Sequence, residues 1–321
     1  MINGDPLSLA SRGVILALHT TLRPLGARLP ANRFGVAGAR LGLAVACRIW
    51  FDRTLPTTPV DTEGPRGRTL GEWVGPAPSP GQSLIYYLHG SGYVGCSPAT
   101  HRGLVSELSR RLDRPAFTLR YRRAPEHRFP AAHDDVLNGY LWLLEQGYAA
   151  KDIVLMGDSA GGHMALGLCV QLRELGLPQP KALVGFSALV DSTWTLADAR
   201  RPEVNEAFMS FGLATRMTGL YTGTTHFDDP RLNVAAHVGP DLPPMLLQAG
   251  GSEMLSADAE HYGAVQRAAG GQCEVQLWPG MFHVFQVGHR FLPEARAALN
   301  SVEQFIAEVE RAELRRGPLS A

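Results

Sequence analysis

The sequence has little cysteine and no net charge. Its 321 residues include four scattered cysteines, and lysine plus arginine matches aspartate plus glutamate at 30 each. Without closely spaced thiolates or histidines no zinc site is expected, and sparse cysteines are typical of a reducing compartment. A net charge near zero gives no electrostatic reason to expect nucleic acid, so we expect no nucleic-acid partner.

The chain also lacks a long apolar run. No stretch approaches the ~20 apolar residues that a membrane-spanning helix needs. The N-terminus shows no charged-then-apolar signal pattern, because Asp5 and Arg12 interrupt it early. We therefore expect a cytoplasmic protein with no stable membrane insertion.

One region departs from the neutral charge balance. The first fifty residues hold a single acid, Asp5, and six arginines, which are Arg12, Arg23, Arg28, Arg33, Arg40 and Arg48. Such an excess can attract an anionic membrane surface, but it can also belong to the solvated side of amphipathic helices. We favour the second interpretation, in which these arginines lie on the solvated side of amphipathic helices.

Short apolar runs alternate with helix-like stretches from about residue 83 onward. The predicted strands are 84–88, 116–119, 153–156, 183–186, 245–248 and 275–278. Helical patterns occupy the stretches near 100–112, 132–147, 160–175, 257–269 and 294–315. This alternation predicts βαβ units, a mostly parallel sheet and right-handed crossovers.

Two regions break the alternation. Residues 1–50 carry apolar positions at helical spacing before any strand, and residues 191–235 form a long insert between the fourth and fifth strands. Inserts of this length in a compact domain are usually lids or subdomains. We therefore divide the chain into an N-terminal helical segment, 1–60, an insert, 191–235, and two parts of one core, 61–190 and 236–321.

The strongest chemical signal is the pentapeptide Gly157-Asp158-Ser159-Ala160-Gly161. This G-x-S-x-G pattern stands directly after a predicted strand and directly before a predicted helix. Such a turn strains the backbone and exposes the serine hydroxyl, while the glycines leave room for close helix–strand packing. The helix N-terminus that follows favours developing negative charge. We therefore predict that Ser159 is a nucleophile.

A glycine-rich loop, His89-Gly90-Ser91-Gly92, follows the first of these strands. Ester hydrolysis passes through a tetrahedral oxyanion, which needs preorganised N–H donors. The predicted donors are the backbone N–H groups of Ser91 and Gly92, together with that of Ala160 after the nucleophile. His89 is interpreted as a structural residue that supports the loop with Gly90, and not as a base.

The predicted base is His283, and position selects it among eleven histidines. It follows the last predicted strand, in agreement with the chain order serine, acid, histidine of this type of triad. The acid should follow the strand at 245–248, where both Glu253 and Asp258 are available. Glu253 is preferred, because Asp258 falls in the first turn of the next helix, where an acid can stabilise the helix dipole without catalytic purpose.

Together these motifs resemble the hormone-sensitive-lipase-like family of α/β-hydrolases, the bacterial family IV esterases. The resemblance covers about 84–290 and rests on four blocks. They are His89-Gly90-Ser91-Gly92-Tyr93, then Tyr121-Arg122-Arg123-Ala124-Pro125-Glu126-His127 with Phe129-Pro130-Ala131-Ala132 and Asp134-Asp135, then Gly157-Asp158-Ser159-Ala160-Gly161-Gly162, and finally Gly280-Met281-Phe282-His283-Val284-Phe285.

The resemblance implies an α/β-hydrolase fold with a helical cap, built from the N-terminal segment and the insert. It also implies a serine carboxylesterase that acts on short- to medium-chain esters without a metal or organic cofactor. Its partner would be a small ester substrate, and a homodimer is left open because family members are often dimers. The family's second block is mainly structural, which implies that Arg122, Glu126 and Asp134 are buried polar partners.

Three positions depart from the family pattern. Ser91 stands where a glycine is usual, Arg123 stands where a leucine is usual, and Glu253 stands where most members have aspartate. One branch of the family has glutamate at this last position, so the triad is expected to survive. Nothing in the sequence accounts for the charge at Arg123.

Alternative functions fit the same triad. An amidase, a lactonase or a deacetylase of a natural product would use the same nucleophile and base, and the sequence does not reveal the pocket that distinguishes them. A non-catalytic small-ligand receptor is disfavoured, because relatives of that kind have lost the histidine that His283 supplies here. A haloalkane or epoxide hydrolase would need aspartate in place of Ser159.

Overall fold

The computed structural model describes residues 7–28, 33–50, 54–223 and 227–316. In these ranges eight strands form one sheet. The strands are β1 (Thr57–Gly64), β2 (Gly67–Val74), β3 (Leu84–Leu88), β4 (Ala116–Leu119), β5 (Ile153–Asp158), β6 (Ala182–Phe186), β7 (Met245–Gly250) and β8 (Cys273–Trp278). Their order across the sheet is β1-β2-β4-β3-β5-β6-β7-β8.

Helices connect and flank these strands. The α-helices are α1 (Leu9–Ala17), α2 (Arg23–Ala27), α3 (Arg33–Trp50), α4 (Pro98–Leu112), α5 (Ala131–Glu145), α6 (Ala160–Glu174), α7 (Thr195–Arg200), α8 (Phe211–Thr222), α9 (Ser256–Ala268) and α10 (Pro293–Arg316). A π-helical turn, Leu18–Leu22, joins α1 to α2. Among the helices of the described ranges, none is long and apolar enough to cross a membrane.

The prediction of an α/β fold with a mostly parallel sheet is confirmed. Strands β3 to β8 pair in parallel, and each corresponds to one of the six strands predicted from the sequence. The hairpin of β1 and β2 was not predicted, and it pairs antiparallel at the edge of the sheet. Strand β1 is mostly exposed and polar and contains Pro59, which is tolerated at a sheet edge, so it lacks the apolar run of a buried strand.

The central strands are buried on both faces. Alternate residues of β3 point to opposite sides, so Ile85 and Tyr87 pack with α4 and α10 on one face. On the other face Tyr86 packs with α5 and α6. Because both faces are covered, a site must lie at one end of these strands, and in such sheets it is usually the carboxyl end.

The N-terminal helices and the insert lie next to each other. Helix α2 contacts α8 of the insert, and α3 contacts α4 of the core. The first strand begins at Thr57 and therefore crosses the boundary at residue 60 that we placed between the N-terminal segment and the core. The division of the chain into cap and core segments stays a prediction.

The expectation that three polar residues of the second family block are buried is wrong. The side chains of Arg122, Glu126 and Asp134 are about half exposed and form ion pairs at the surface. Full burial would need every charge to be compensated, whereas a surface ion pair keeps part of its hydration. The pairs are Arg122 with Asp135, Glu126 with Arg40 and Asp134 with Arg231.

Candidate active site

Ser159 lies on the turn between β5 and α6. Its backbone has φ 52° and ψ −122°, a conformation that costs a non-glycine residue about 1–3 kcal/mol. Three hydrogen bonds hold it there: its N–H donates to Phe186 (2.9 Å), and its carbonyl accepts from His163 (3.1 Å) and Leu189 (3.2 Å). The strained turn expected from the sequence is therefore present.

The turn presents the serine while burying its neighbours. Ser159 is the only residue between 153 and 170 that is not buried. Two glycines allow this packing, because a Cβ atom on Gly161 would lie 2.0 Å from the carbonyl oxygen of Leu88, and one on Gly157 would lie 2.6 Å from the backbone of Gly161. Only glycine fits where helix and strands approach this closely.

The three predicted oxyanion donors have free N–H groups. Within the described ranges no hydrogen bond is donated by the backbone N–H of Ser91, Gly92 or Ala160. Ala160 is the first residue of α6, where the helix leaves an N–H unpaired and carries positive partial charge. Ser91 has φ 137° and Gly92 has φ 58°, so Ser91 adopts a backbone conformation that usually requires glycine.

Asp158 ties the glycine-rich loop to the nucleophile turn. Its buried carboxylate accepts hydrogen bonds from the Tyr87 hydroxyl (2.8 Å) and the Gly90 N–H (2.9 Å), and it pairs with His101 (3.3 Å). Burial opposes its charge, but His101 and these donors outweigh burial and lower the pKa of Asp158. A Cβ on Gly90 would lie 2.2 Å from this carboxylate, which explains the glycine. Asp158 lies inside the G-x-S-x-G pattern, but the pattern predicts no role for its side chain.

His89 packs beneath the same loop. Its ring is fully buried and stacks on Tyr121, with 4.3 Å between ring centres. Its Nδ1 lies 3.0 Å from the Gly90 carbonyl oxygen and 3.1 Å from the Tyr121 hydroxyl. Burial lowers the pKa of His89 to about 3, so the ring is neutral near pH 7. These are contacts of a side chain that supports the loop.

Two arginines bind the segment 94–96, which directly follows the glycine-rich loop and Tyr93. Arg123 donates to the carbonyl oxygens of Gly95 and Cys96, and Arg40 of α3 donates to that of Val94 (2.8 Å). The guanidinium group of Arg123 thus satisfies carbonyls that the loop leaves without backbone partners, which accounts for a charge where relatives have leucine. Burial lowers the pKa of Arg123, with Arg40 as the next cause.

His283 pairs with Glu253. The distance from His283 Nδ1 to Glu253 Oε2 is 2.5 Å, and both side chains are buried. The other carboxylate oxygen of Glu253 accepts a hydrogen bond from the Gly250 N–H (2.7 Å). Burial alone would lower the pKa of His283, but the charge and hydrogen bond of Glu253 outweigh it and raise that pKa.

The loop that carries His283 is tied to the strand beside the nucleophile. The Val284 N–H donates to the Ser187 hydroxyl (2.9 Å), and Ser187 follows the residue that accepts from the Ser159 N–H. The carboxyl ends of β5, β6, β7 and β8 therefore bring the nucleophile, the acid and the histidine to one edge of the sheet. Nδ1 of His283 is occupied by Glu253, which leaves Nε2 as the ring nitrogen without a hydrogen bond among the described residues.

Asp258, the alternative acid, is engaged elsewhere. Its Oδ1 accepts hydrogen bonds from the N–H groups of Val190 (2.7 Å) and Asp191 (2.8 Å), where the insert begins. Burial raises the pKa of Asp258 to about 7. The structure thus pairs Glu253, and not Asp258, with His283.

Another buried carboxylate, that of Glu206 in the insert, also reaches the site. It accepts hydrogen bonds from the N–H groups of Phe208 (3.0 Å) and Met254 (3.3 Å), and the Phe208 ring stacks on His283 with 6.0 Å between centres. Burial first, and then the charge of Glu253, raises the pKa of Glu206, whose own charge helps to raise that of His283. No motif surrounds Glu206, so no signal in the sequence could have identified it.

Helix α8 of the insert covers the glycine-rich loop. The Met217 side chain lies 3.2 Å from the position that a Cβ atom of Gly92 would take. One turn further, the Tyr221 ring stacks on Tyr93 at 4.4 Å between centres. The insert therefore closes over the glycine-rich loop of the site.

Comparisons with known proteins agree with this arrangement. Residues 85–287 match the model of a family described as having the alpha/beta hydrolase fold. An acetyl-hydrolase of Streptomyces hygroscopicus is 37% identical over 75% of this chain and 80% of its own length. The carboxylesterase/phospholipase LipF of Mycobacterium tuberculosis is 32% identical over 94% of this chain and 82% of its own length.

Solved structures give the same result. An esterase/lipase from an uncultured bacterium superposes with a TM-score of 0.83 at 30% identity, covering 94% of this chain and 99% of the other. An esterase from the bacterial hormone-sensitive lipase family superposes with a TM-score of 0.82 at 29% identity, covering 95% and 99%. The resemblance seen in the sequence is thereby confirmed: this chain belongs to the hormone-sensitive-lipase-like family of α/β-hydrolases and is a carboxylic ester hydrolase.

Proposed function

We propose that the chain is a serine carboxylesterase that hydrolyses short- to medium-chain esters through an acyl-enzyme intermediate. The observation that carries this proposal is the buried pair of Glu253 and His283, which lies at the same sheet edge as the partly exposed Ser159. A serine hydroxyl is a weak nucleophile until a base removes its proton, and an oriented, carboxylate-paired histidine is such a base.

The first half of the reaction acylates the serine. His283 Nε2 takes the proton from Ser159 Oγ as that oxygen attacks the ester carbonyl. The negative oxygen of the tetrahedral intermediate accepts hydrogen bonds from the N–H groups of Ser91, Gly92 and Ala160. The C–O bond to the alcohol then breaks, and the imidazolium of His283 protonates the departing oxygen.

The second half releases the acid. A water molecule gives a proton to His283 and attacks the carbonyl carbon of the acylated Ser159. The same N–H groups stabilise the second oxyanion, and His283 returns its proton to Ser159 as the acid leaves. Throughout both halves Glu253 holds the proton of the neutral ring on Nδ1 and stabilises the imidazolium.

The enclosure of the site supports a preference for smaller acyl groups. Met217 lies above Gly92, and Phe208 lies on the ring of His283, so the insert restricts the space on two sides. We infer that the insert and the N-terminal helices act together as a cap over a closed acyl pocket. The name of one relative, an acetyl-hydrolase, supports the same preference.

The test is hydrolysis of a p-nitrophenyl ester series from acetate to palmitate. Wild-type activity should be greatest on short acyl chains, and Ser159→Ala should lower kcat by about six orders of magnitude, the usual cost of losing such a nucleophile. Ser301→Ala, on the surface of α10, is the matched control and should leave the rates unchanged.

Two results would contradict the proposal. Full activity of Ser159→Ala would remove Ser159 from the mechanism. A folded wild-type protein that is inactive on every chain length but cleaves amides or lactones would move the function to one of those reactions. Mass spectrometry after organophosphate treatment separates these cases, because a reactive Ser159 is labelled in the second and not in the first.

A further inference from the structure

Apolar side chains on the surface concentrate in the N-terminal helices. In the part of the chain that the structure describes, eleven large apolar side chains are exposed, and seven of them fall between residues 9 and 45. Those seven are Leu9, Leu16, Leu22, Leu25, Phe34, Leu41 and Val45, whereas the other four are Leu175, Phe208, Phe291 and Leu314. Single exposed leucines are common on proteins, but a concentration of this kind marks an interaction surface.

The exposed apolar residues follow helical periodicity. In α3 the side chains of Leu41 and Val45 point to solvent at a spacing of four, while Val36 is buried and Arg40 binds the loop beside the site. Among the residues of α3 whose side chains the structure describes, the solvent side is thus apolar and the one charged residue, Arg40, faces the protein, the reverse of an ordinary surface helix. The solvated side that we favoured from the sequence fits the exposed Arg12, Arg23 and Arg28 but not Arg40, and the side chains of Arg33 and Arg48 lie outside the described residues.

The charged residues of this region all have one sign. Residues 7–50 contain no aspartate or glutamate. Arg12, Arg23 and Arg28 are exposed, and no ion pair joins any of them to another described residue. In α1, Arg12 lies between Leu9 and Leu16 on the same helix side, because residues three and seven apart share a face. The region therefore combines apolar anchors with uncompensated positive charge.

We propose that this surface adsorbs to a lipid bilayer that carries anionic headgroups. The N-terminal face, as we define it, consists of Leu9, Arg12, Leu16, Arg23, Leu25, Arg28, Leu41 and Val45. Leucines enter the headgroup boundary of a bilayer while arginines bind phosphate groups, which is the chemistry of helices that lie in a membrane interface. A second copy of the chain fits less well, because it would bring the same arginines against each other.

The N-terminal face adjoins the active site without being part of it. Helix α2 meets α8 at Gly26, where an added Cβ atom would lie 3.1 Å from Leu213, and α8 places Met217 over Gly92. A bilayer bound here would lie one helix away from the glycine-rich loop. This inference goes beyond the proposed esterase activity, and adsorption itself needs no catalysis.

Sedimentation with lipid vesicles tests the proposal. The full-length Ser159→Ala protein is mixed with vesicles of phosphatidylcholine alone, or of phosphatidylcholine with phosphatidylglycerol, so that binding is measured without turnover. We expect sedimentation with the anionic vesicles that weakens as salt increases. Replacing Arg12, Arg23 and Arg28 by alanine should weaken binding about 100-fold, since one basic residue near such a surface contributes about five-fold.

The leucines are tested with a matched control. Leu9→Ser with Leu16→Ser should weaken vesicle binding by at least about ten-fold for each leucine removed from the headgroup boundary. Leu314→Ser changes a leucine of equal exposure, 82% against 83% for Leu9, at the other end of the chain and should leave binding unchanged. Thermal unfolding and hydrolysis of p-nitrophenyl acetate, measured without the Ser159→Ala change, check that each variant is folded.

Three results would overturn the proposal. They are equal sedimentation with both kinds of vesicle, unchanged binding of the arginine or leucine variants, and failure of the wild-type face to bind anionic vesicles at all. A dimer in analytical ultracentrifugation that Leu41→Ser abolishes, together with absent vesicle binding, would assign the face to a second copy. A failed esterase assay would leave these outcomes as they stand, because none depends on turnover.

Discussion

Replacement of Glu253 by glutamine should nearly abolish activity through the tautomer of His283. The Gly250 N–H donates to Oε1 of Glu253 at 2.7 Å, so the amide oxygen of the glutamine keeps that place. The amide NH₂ then faces His283 Nδ1, which in the wild type lies 2.5 Å from the second carboxylate oxygen. Because an NH₂ group only donates, Nδ1 must become the acceptor and the ring proton moves to Nε2.

The size of the loss follows from that change. A histidine protonated on Nε2 cannot accept the proton of Ser159, and triads with an amide in place of the acid lose about 10⁴-fold in kcat. That factor corresponds to about 5.5 kcal/mol of transition-state stabilisation. Both side chains are buried, so water does not screen their interaction and cannot substitute for the carboxylate.

The assay is steady-state hydrolysis of p-nitrophenyl acetate across a pH series. We expect a lower kcat with little change in KM, because the acid does not contact the substrate. Asp258→Asn is the matched control: it changes the other buried acid after β7, whose Oδ1 accepts only from the N–H groups of Val190 and Asp191. Glu253→Gln activity within about ten-fold of the wild type, or a larger loss in Asp258→Asn protein of unchanged stability, would refute the assignment of Glu253.

Two further predictions follow from the same contacts. The raised pKa of His283 means that kcat/KM falls as the pH drops through a value above 6.5, because only the neutral ring is a base. The charge of Glu206 contributes to that raised pKa. Glu206→Gln should therefore move the fall in kcat/KM at acid pH to a lower pH, and an unchanged pH dependence would contradict an interaction between Glu206 and His283. Gly161→Ala should destabilise the fold by about 3 kcal/mol in urea unfolding, because its Cβ would lie 2.0 Å from the Leu88 oxygen. Gly219→Ala has open space in α8 and should stabilise by up to about 1 kcal/mol, and equal effects of the two substitutions would contradict this packing.

The buried strands could be predicted from the sequence because they are covered on both faces. Such strands read as continuous apolar runs, and β3 and β4 begin and end at the predicted residues. The edge hairpin escaped prediction because β1 is exposed and polar along most of its length. A run of apolar residues indicates burial. A strand that is mostly exposed has no such run and is therefore not predicted from it.

Some residues of the candidate site could also be predicted from the sequence, and others could not. Ser159 and His283 were identifiable because each lies in a local motif, although the close contact that requires Gly161 is with Leu88 of a neighbouring strand. Asp158 and Glu206 act through partners that only folding brings together, such as His101 for the first and Met254 for the second. The sequence near each carboxylate does not indicate these partners, because they are distant along the chain.

The N-terminal helices show a further limit on what periodicity can reveal. The repeat of apolar residues in α3 indicates a helix with two unlike sides, but it does not indicate which side packs on the protein. Arg40 decides this, because its guanidinium binds the carbonyl oxygens of Val94 and Ala124 and also Glu126, and so turns the side of the helix that carries Arg40 inward. Leu41 and Val45 must then face outward. The contact of Arg40 with the Val94 carbonyl thus has two consequences. It stabilises the chain next to the glycine-rich loop, and it turns outward the apolar side of α3 for which we propose a lipid partner. The loop contact and the apolar surface therefore depend on the same orientation of α3.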